Sequence, residues 1–461
     1  MAEHVQPVRE NPLGYALIPA LIRKFAIPSI ISMLVAAAYN ITDQIFIGHV
    51  VGMLGNAATN VAFPMVTMST ALAQLVGVGT AANFNICMGG KRQSEAEQYV
   101  GTGLTLSVLL GVLLACLVLL FCTPILLFCG ATEAVLPYAQ SYLSITGFGL
   151  PFLLFTNANS MLVRADGSPT YSMVCNVVGA VLNILLDWLF MSGLHWGIQG
   201  AAAATVTGQI ISFCLCIGYF PRFKAFSINR SLLRLRPFYI LRIAKLGTSN
   251  FINHTVMTLV NIVLNNTLTH YGALSIYGSD IPLAVSGVVA KLNTILMAFA
   301  VGLSQGCQPI FSFNMGAKNY SRIKEAYKKA ALAALCFSIL AFLTFQLFPR
   351  QITSIFGSGE ELYYQFAEQY LRIYMMMVCI VGIQPLSVNY FTSIGNVRQG
   401  IVLSLSRQGF FLIPLLLLLP LLFGLNGALA AGPIAEVMAC TLSLSLVFRD
   451  FKRLDRLGQA A

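Results

Sequence analysis

Long apolar runs separated by short polar stretches make up most of this chain. Each run has roughly the 20 residues that an α-helix needs to cross a bilayer, and the runs are continuously apolar, unlike the alternating strands of a barrel. Twelve can be placed near 25–48, 57–82, 97–124, 137–163, 169–192, 199–220, 246–270, 281–311, 325–348, 363–392, 399–422 and 426–448. The pattern predicts an all-α, polytopic membrane protein with twelve transmembrane helices.

Composition and charge narrow the class further. Hydrophobic residues make up 57% of the chain and charged residues 9%, with a mean hydropathy of +0.78, which excludes an ordinary soluble protein. The net charge of +11 comes from Lys and Arg in every second loop, with Arg350, Arg372 and Lys291 as exceptions. Such positive-inside bias is typical of membrane proteins. We therefore expect a multi-pass protein of the inner (plasma) membrane with both termini cytoplasmic.

Two segments that are less apolar than the spans, one at the N-terminus and one near the middle of the chain, allow further predictions. The first two dozen residues are polar or mixed and run directly into a full-length span, so we expect no cleavable signal peptide. Residues 226–245 mix basic and apolar side chains. They predict a cytoplasmic connector that either lies against an anionic leaflet or forms a solvated linker.

The chain is duplicated at a constant offset of 227 residues. Gly77–Lys91 aligns with Ser304–Lys318, and Gly197–Ala204 aligns with Gly424–Ala431 at the same offset. Six spans per half give both halves the same orientation, so the pseudo-two-fold axis should run along the membrane normal with a cavity between the halves. We predict an N-lobe over 1–225, a connector over 226–245 and a C-lobe over 246–461.

Two acidic residues, Asp43 and Asp187, lie inside the first and fifth spans. A charge at the bilayer centre costs about 2.5–3.5 kcal/mol on insertion scales, so such residues usually face a cavity or a partner and act on ions or protons. Tyr39 and Asn183 each precede one of these acids by four residues, which places each pair on one helix face.

Helix counting puts these groups at one level. Asp43 and Asp187 lie about five residues from the outer ends of outward-running spans, and Thr205 about six residues into the next inward-running span. The equivalent positions in the second half are His270, Pro414 and Gly432. The sequence therefore predicts a site in the first half alone.

Carboxylate, amide and hydroxyl oxygens suit a hard cation. Na⁺ could be held by Asp43, Asn183, Asp187 and Thr205. Two acids close together in low dielectric do not both stay ionised easily, so one would take up a proton. H⁺ and Na⁺ both remain open, as does the alternative that the acids only stabilise the bundle.

At these residues the chain resembles the multidrug and toxic compound extrusion (MATE) family of secondary transporters over essentially its whole length. The matches are Pro28 with the segment Tyr39–Gly48, the Asn183-xxx-Asp187 pair, and the Gly-Ala-Ala-Ala-Ala run before Thr205. The segment Gly302–Lys318 is similar to the MepA-like bacterial branch.

The resemblance implies cation antiport, in which an inward H⁺ or Na⁺ gradient drives export of amphiphilic or cationic compounds by alternating access. It assigns the cation site to Asp43, Asn183, Asp187 and Thr205 with Tyr39 alongside, and a hinge to Pro28, where proline permits a kink. Where other branches carry acids in the C-lobe, this chain has Asn250, Asn253 and His254. A second cation site there is doubtful.

Residues that contact substrate are harder to assign from one sequence. Flexible thioethers suit promiscuous surfaces, and His254 could titrate near neutral pH, although core packing is the alternative for each. Lys291 could pair with an acid, for which Glu436 is a candidate, or bind substrate anions. The candidates for substrate binding are Met33, Asn157, Met161, His254 and Gln308.

Other classes fit the sequence less well. The eleven cysteines lie almost all in spans without paired metal-ligand spacing, so we expect no metal or redox cofactor. No Walker A pattern supports ATP drive, and no DxxD-type pair in a span supports an intramembrane prenyl transferase. A lipid-linked precursor flippase of the same broad superfamily is the alternative, although it should have two more helices. We expect a monomer that is not an enzyme.

Overall fold

A computed structural model describes residues 11–278, 280–354 and 361–459, and this part of the chain contains no β-strand. The prediction for the first ten residues lies outside it. The first nine membrane-crossing helices are α1 Ile18–Val50, α2 Met53–Gly89, α3 Gln93–Leu120, α4 Leu136–Ala165, α5 Pro169–Asp187, α6 Gly197–Ile217, α7 Pro237–Ala273, α8 Asp280–Gly316 and α9 Tyr320–Leu347.

The last three crossings are interrupted. Helix α10 consists of Glu361–Tyr374 and Val378–Ser393, and its two parts are bent by 42°. Helix α11 begins with Val397–Leu405 and continues through a π-helical stretch, Ser406–Leu412. Gly424 then leaves helical geometry, with φ 57° and ψ −138°. It divides the final helical segment, so that α11 covers 397–423 and α12 covers 425–459.

Length and composition support twelve crossings. Among the described residues, eight helices are long and apolar enough to span a membrane, or nine with the bent pair. One of the eight is the 63-residue stretch that Gly424 divides. Helices α4 and α7 have 30 and 37 residues and carry several polar residues; at about 1.5 Å per residue both can cross. The predicted twelve-helix, all-α class is confirmed.

The duplication is visible in the backbone. Lys91 and Lys318, which are 227 residues apart, have φ angles of 57° and 59°. Gly197 and Gly424, at the same offset, have φ angles of 55° and 57°. Non-glycine residues rarely adopt positive φ. Equivalent turns therefore have equivalent positive-φ conformations in the two lobes.

The two lobes meet at one end of the bundle, the end where residues 218–236 join α6 to α7; we call it the connector side. Buried apolar clusters there combine both lobes: Phe25 and Ala26 pack with Phe311, and Phe84 with Ile243. At the opposite end, the buried clusters of the described residues each belong to a single lobe. The lobes are thus closed at the connector side and separate at the other.

A symmetric glycine crossing allows this closure. A Cβ atom at Gly89 of α2 would lie 2.0 Å from the carbonyl oxygen of Phe313 in α8. A Cβ at Gly316 of α8 would lie 2.0 Å from the carbonyl oxygen of Ile86 in α2. Both pairs obey the 227-residue offset. Only glycine leaves room for two helix backbones to approach this closely.

Polar contacts reinforce the same seal. Arg164, at the end of α4, is buried and donates from Nη1 to Ser29 Oγ of α1 at 2.9 Å and to Gln305 Oε1 of α8 at 3.4 Å. Gln308 of α8 donates to the carbonyl oxygen of Val78 in α2 at 3.3 Å. The charge pattern places Arg164 among the loop cations. Instead, it links three helices from both lobes.

The connector is packed on the N-lobe and is not a free linker. Thr105 of α3 donates to the carbonyl oxygen of Leu233 at 2.8 Å, and the rings of Tyr99 and Tyr239 lie 4.9 Å apart. Residues from Pro237 onward already belong to α7. Exposed Arg234 and other basic residues remain on its outer surface.

Candidate cation site

Close packing of α5 on α6 positions the first part of the site. A Cβ atom at Gly208 of α6 would lie 2.8 Å from the carbonyl oxygen of Gly179 in α5 and 3.3 Å from Cβ of Asn183. Two small residues thus let the backbones approach, and Asn183 comes next to Thr205, one turn before Gly208. Helix α1 packs against both α5 and α6.

A chain of polar side chains runs across these helices. The carboxyl groups of Asp43 and Asp187 lie next to one another. The Asn183 amide lies between Asp187 and Thr205: oriented to satisfy both, it donates to Asp187 Oδ2 at 3.2 Å and accepts from Thr205 Oγ1 at 3.2 Å. Tyr39 faces both carboxyl groups. The structure therefore brings together all five predicted site residues.

The site is buried but keeps free oxygen atoms. Asp187 has 0% of its surface exposed and Asn183 3%, while Asp43, Tyr39 and Thr205 are half-buried. The Oδ1 atoms of Asp43 and Asp187 are both buried without a hydrogen-bond partner. An unpartnered carboxylate oxygen is costly to bury. These two atoms are the ones a bound cation would satisfy.

No resident cation compensates the acids. In the described part of the chain, neither Asp43 nor Asp187 takes part in an ion pair. Two carboxyl groups can hydrogen bond to each other only when one carries a proton. The donor set therefore fits a shared proton or, with both acids ionised, Na⁺ held by oxygen ligands.

A π-helical segment, Trp188–Gly193, begins directly after Asp187. Such segments are rare and often lie at functional sites. Here the wider turn ends the α-helical part of α5 at the acid itself.

Tyr142 of α4 also belongs to the site, and the sequence analysis missed it. It is buried, and its side chain lies beside Thr205 and near Asp43 and Asp187. Tyr142 lies six residues after Leu136, where inward-running α4 begins. Applying to all spans the depth count that selected Thr205 would have found it.

The predicted substrate residues are dispersed. Met33, Asn157 and His254 are half-buried on α1, α4 and α7. Met161 is buried in the core between α4 and α2, where its sulfur would lie 3.0 Å from a Cβ at Gly77. Gln308 belongs to the seal between the lobes. In this conformation Met161 and Gln308 are closed off from any cleft, and all five remain predictions.

Pro28 lies inside α1, which continues through it as an α-helix from Ile18 to Val50. The neighbouring Ser29 hydroxyl donates to the carbonyl oxygen of Phe25 at 2.8 Å. The hinge role stays a prediction.

The C-lobe contains a different polar cluster. Arg407 Nε lies 2.8 Å from Glu436 Oε2 in a mostly buried ion pair. The predicted pairing of Lys291 with Glu436 is therefore wrong, as is the placement of Arg407 in a cytoplasmic loop. Arg407 falls in the π-helical stretch of α11, which lies beside α12, and it satisfies Glu436 from the adjacent helix.

In the C-lobe, the position equivalent to Thr205 of the cation site is filled by the aromatic ring of Tyr374. Gly432 occupies the position of Thr205, and a Cβ there would lie 2.6 Å from Cε2 of Tyr374. His270 and Phe410, the equivalents of Asp43 and Asn183, are exposed. The two lobes share a fold but not this chemistry.

Comparisons with known proteins agree with the fold. The MatE family model matches residues 28–189 and 251–418. The multidrug export protein MepA of Staphylococcus aureus (strain MSSA476) is 24% identical over 434 residues, covering 94% of each chain. MepA of Staphylococcus haemolyticus (strain JCSC1435) is 25% identical over 432 residues, covering 93% of each.

Solved structures show the same architecture. The MATE multidrug transporter DinF-BH is 34% identical with a TM-score of 0.86, covering 96% of this chain and 98% of that one. A MOP superfamily transporter from Pyrococcus furiosus Vc1 is 21% identical with a TM-score of 0.89 and the same coverage.

Proposed function

The chain belongs to the MatE family of multidrug export transporters, and we propose that it is a secondary antiporter coupled to H⁺ or Na⁺. The observation that carries the proposal is the close approach of the carboxyl groups of buried Asp187 and half-buried Asp43, each with a buried, unpartnered oxygen and no basic partner in the described residues. A mobile cation neutralises them during transport. Asn183, Thr205 and Tyr39 complete the site, and Tyr142 orients Thr205.

The contrast between the lobes supports a single cation site. In the C-lobe, Glu436 is neutralised permanently by Arg407 at 2.8 Å. In the N-lobe the equivalent of Arg407 is Ala180 and that of Glu436 is Gln209. A resident guanidinium cannot leave, whereas H⁺ and Na⁺ can. Coupling therefore resides in the N-lobe.

The basic connector and the loops around Lys91 and Lys318 support placing the connector side in the cytoplasm. With the lobes closed at that side, the cleft opens outward. The transport cycle consists of rocking of the lobes about the pseudo-symmetry axis in the plasma membrane. Cation binding from outside favours release of substrate and the return to an inward-open state.

The substrates are amphiphilic, often cationic, small molecules, which enter the cleft between the lobes. Apolar and sulfur-containing side chains there suit varied shapes. Met33, Asn157 and His254 are the half-buried candidates, and Gln308 becomes accessible when the connector side opens.

Measuring efflux of a fluorescent organic cation from proteoliposomes identifies the coupling ion. An inward H⁺ gradient alone and an inward Na⁺ gradient alone are imposed on separate samples. The expected result is at least about tenfold faster efflux with one of them than without a gradient. Equal efflux in all three conditions, with folded protein, would overturn the antiport proposal.

A further inference from the structure

Lys291 is a basic residue within α8 that the function proposed above does not use. Its side chain is half-buried, and none of the ion pairs among the described residues includes it. A lysine inside a membrane span is expensive and usually faces a partner or an aqueous cavity. The direction in which it projects can be deduced from its neighbours on α8.

Residues of known contact fix the faces of α8. Gly302 faces α1, because a Cβ there would lie 2.6 Å from Cα of Ile30. Gln305 faces α4, where it accepts from Arg164 at 3.4 Å. At about 100° per residue, Lys291 is within about 20° of the Gly302 direction and about 40° from that of Gln305, and it lies between them. Lys291 therefore projects toward the N-lobe.

The C-lobe core lies on another face of α8. Val285, Val289, Leu292 and Leu296 pack into the apolar core of the C-lobe, and they centre more than about 90° away from Lys291. On the Lys291 face, one turn further from the connector side, a Cβ at Gly287 would meet no atom within 4 Å. This face of α8 is open where the lobes have separated.

Depth places Lys291 opposite the cation site. Gly302 contacts Ile30, and the two helices run in opposite directions. Lys291 is eleven residues further from the connector side along α8, or about 16 Å, and Asp43 is thirteen residues further along α1, or about 20 Å. Lys291 and the acid pair thus lie at a similar depth, with the acids buried inside the N-lobe and Lys291 at the cleft.

We propose that Lys291 forms an anion subsite for substrate, which rests on the transport function proposed above. It binds a carboxylate or phosphate group of the exported molecule. Lys291 then determines which of several related substrates bind, and it takes no part in coupling transport to the ion.

The test uses two dyes that differ in one group: a rhodamine methyl ester, which is a cation, and the same rhodamine with a free carboxylate, which is a zwitterion. Binding of each to purified protein is measured by fluorescence anisotropy, so that the result does not depend on coupling. Lys291→Gln should weaken zwitterion binding about tenfold, the loss expected for one charge-assisted contact. Binding of the ester should change less than twofold.

Further variants separate charge from packing. Lys291→Arg should retain zwitterion binding, and Lys291→Glu should weaken it further while strengthening binding of the ester. Lys452→Gln, an exposed lysine at the connector side, is the matched control and should change neither. Equal effects of Lys291→Gln on both dyes, or no effect on either, would overturn the anion subsite. Failure of the antiport proposal would appear separately, as gradient-independent efflux in a protein whose dye binding still follows this pattern.

Discussion

Asp187 and Glu436 show two ways of burying a carboxyl group in the same fold. Glu436 lies 2.8 Å from the guanidinium of Arg407 and is neutralised by the protein itself. Asp187 has 0% of its surface exposed and lies beside the carboxyl group of Asp43. It accepts a hydrogen bond from the Asn183 amide, which in turn contacts Thr205. A buried charge needs a partner. The ion pairs among the described residues include no basic partner for Asp187, so we propose that its partner is an exchangeable cation.

Tyr142 offers a test of the site that does not remove a charge. Tyr142→Phe deletes the hydroxyl that contacts Thr205 and keeps the ring. A lost hydrogen bond of this kind costs about 0.5–1.5 kcal/mol, so the cation concentration for half-maximal efflux should rise about two- to tenfold. Efflux titrated with the coupling ion measures it, with Tyr138→Phe, at the exposed outer end of α4, as control. An unchanged midpoint would remove Tyr142 from the site.

Single residues also show what sequence alone could predict. Asp43, Asp187, Asn183 and Thr205 could be placed together because a helix has a fixed rise and two acids in apolar spans are conspicuous. Tyr142 was missed because an uncharged aromatic residue in a span looks like core. The Lys291–Glu436 pairing failed because sequence gives depth along a helix but not the packing neighbour of each face.

At the scale of helices, close backbone contacts and interruptions set the geometry. Gly179 and Gly208 bring α5 to α6, and Gly89 and Gly316 bring α2 to α8. The number of spans was predictable from the apolar runs. The sequence also predicted two spans after residue 399, separated around Gly424, which is the equivalent of Gly197. The bend in α10 and the π-helical stretch that turns Arg407 inward were not, because neither changes the hydrophobic pattern.

The glycine crossing at the connector side predicts a selective effect of adding a methyl group. In Gly316→Ala the new Cβ would lie 2.0 Å from a backbone oxygen, so α2 and α8 must separate, at a cost of about 1–3 kcal/mol. The thermal midpoint in detergent and the efflux rate should both fall. Gly287→Ala on the same helix, where a Cβ meets nothing within 4 Å, should leave both unchanged. Equal behaviour of the two variants would contradict the close crossing.

Breaking the ion pair between α11 and α12 should destabilise the protein only when one of its two partners is removed alone. Arg407→Met and Glu436→Met each leave an unpaired buried charge and should each cost about 3–5 kcal/mol. The double variant removes both charges and should recover most of that loss. Thermal midpoints of the three variants measure the coupling, and additive losses in the double variant would contradict a buried pair.

At the scale of the whole molecule, the lobes are alike in backbone and different in chemistry. Matching φ angles at Lys91 and Lys318 show that the duplicated turns persist, while the acid site remains in the N-lobe alone. The lobes touch only toward the connector side in the buried clusters of the described residues. Rocking about this contact would expose Arg164 and Gln308 and close the opposite side. The conformation itself could not be read from sequence, because one sequence encodes both states of such a cycle.

The most direct test of the account compares gradient-driven efflux of a fluorescent organic cation by the wild type, Asp43→Asn and Asp187→Asn in proteoliposomes. Glu133→Gln, at an exposed acid outside the spans, is the control, and dye binding by each purified protein shows that it is folded. The account predicts that each Asn variant binds dye but loses at least about tenfold of the gradient-driven rate, while Glu133→Gln equals the wild type. Full gradient-driven efflux by both Asn variants would show that Asp43 and Asp187 do not couple transport to the ion.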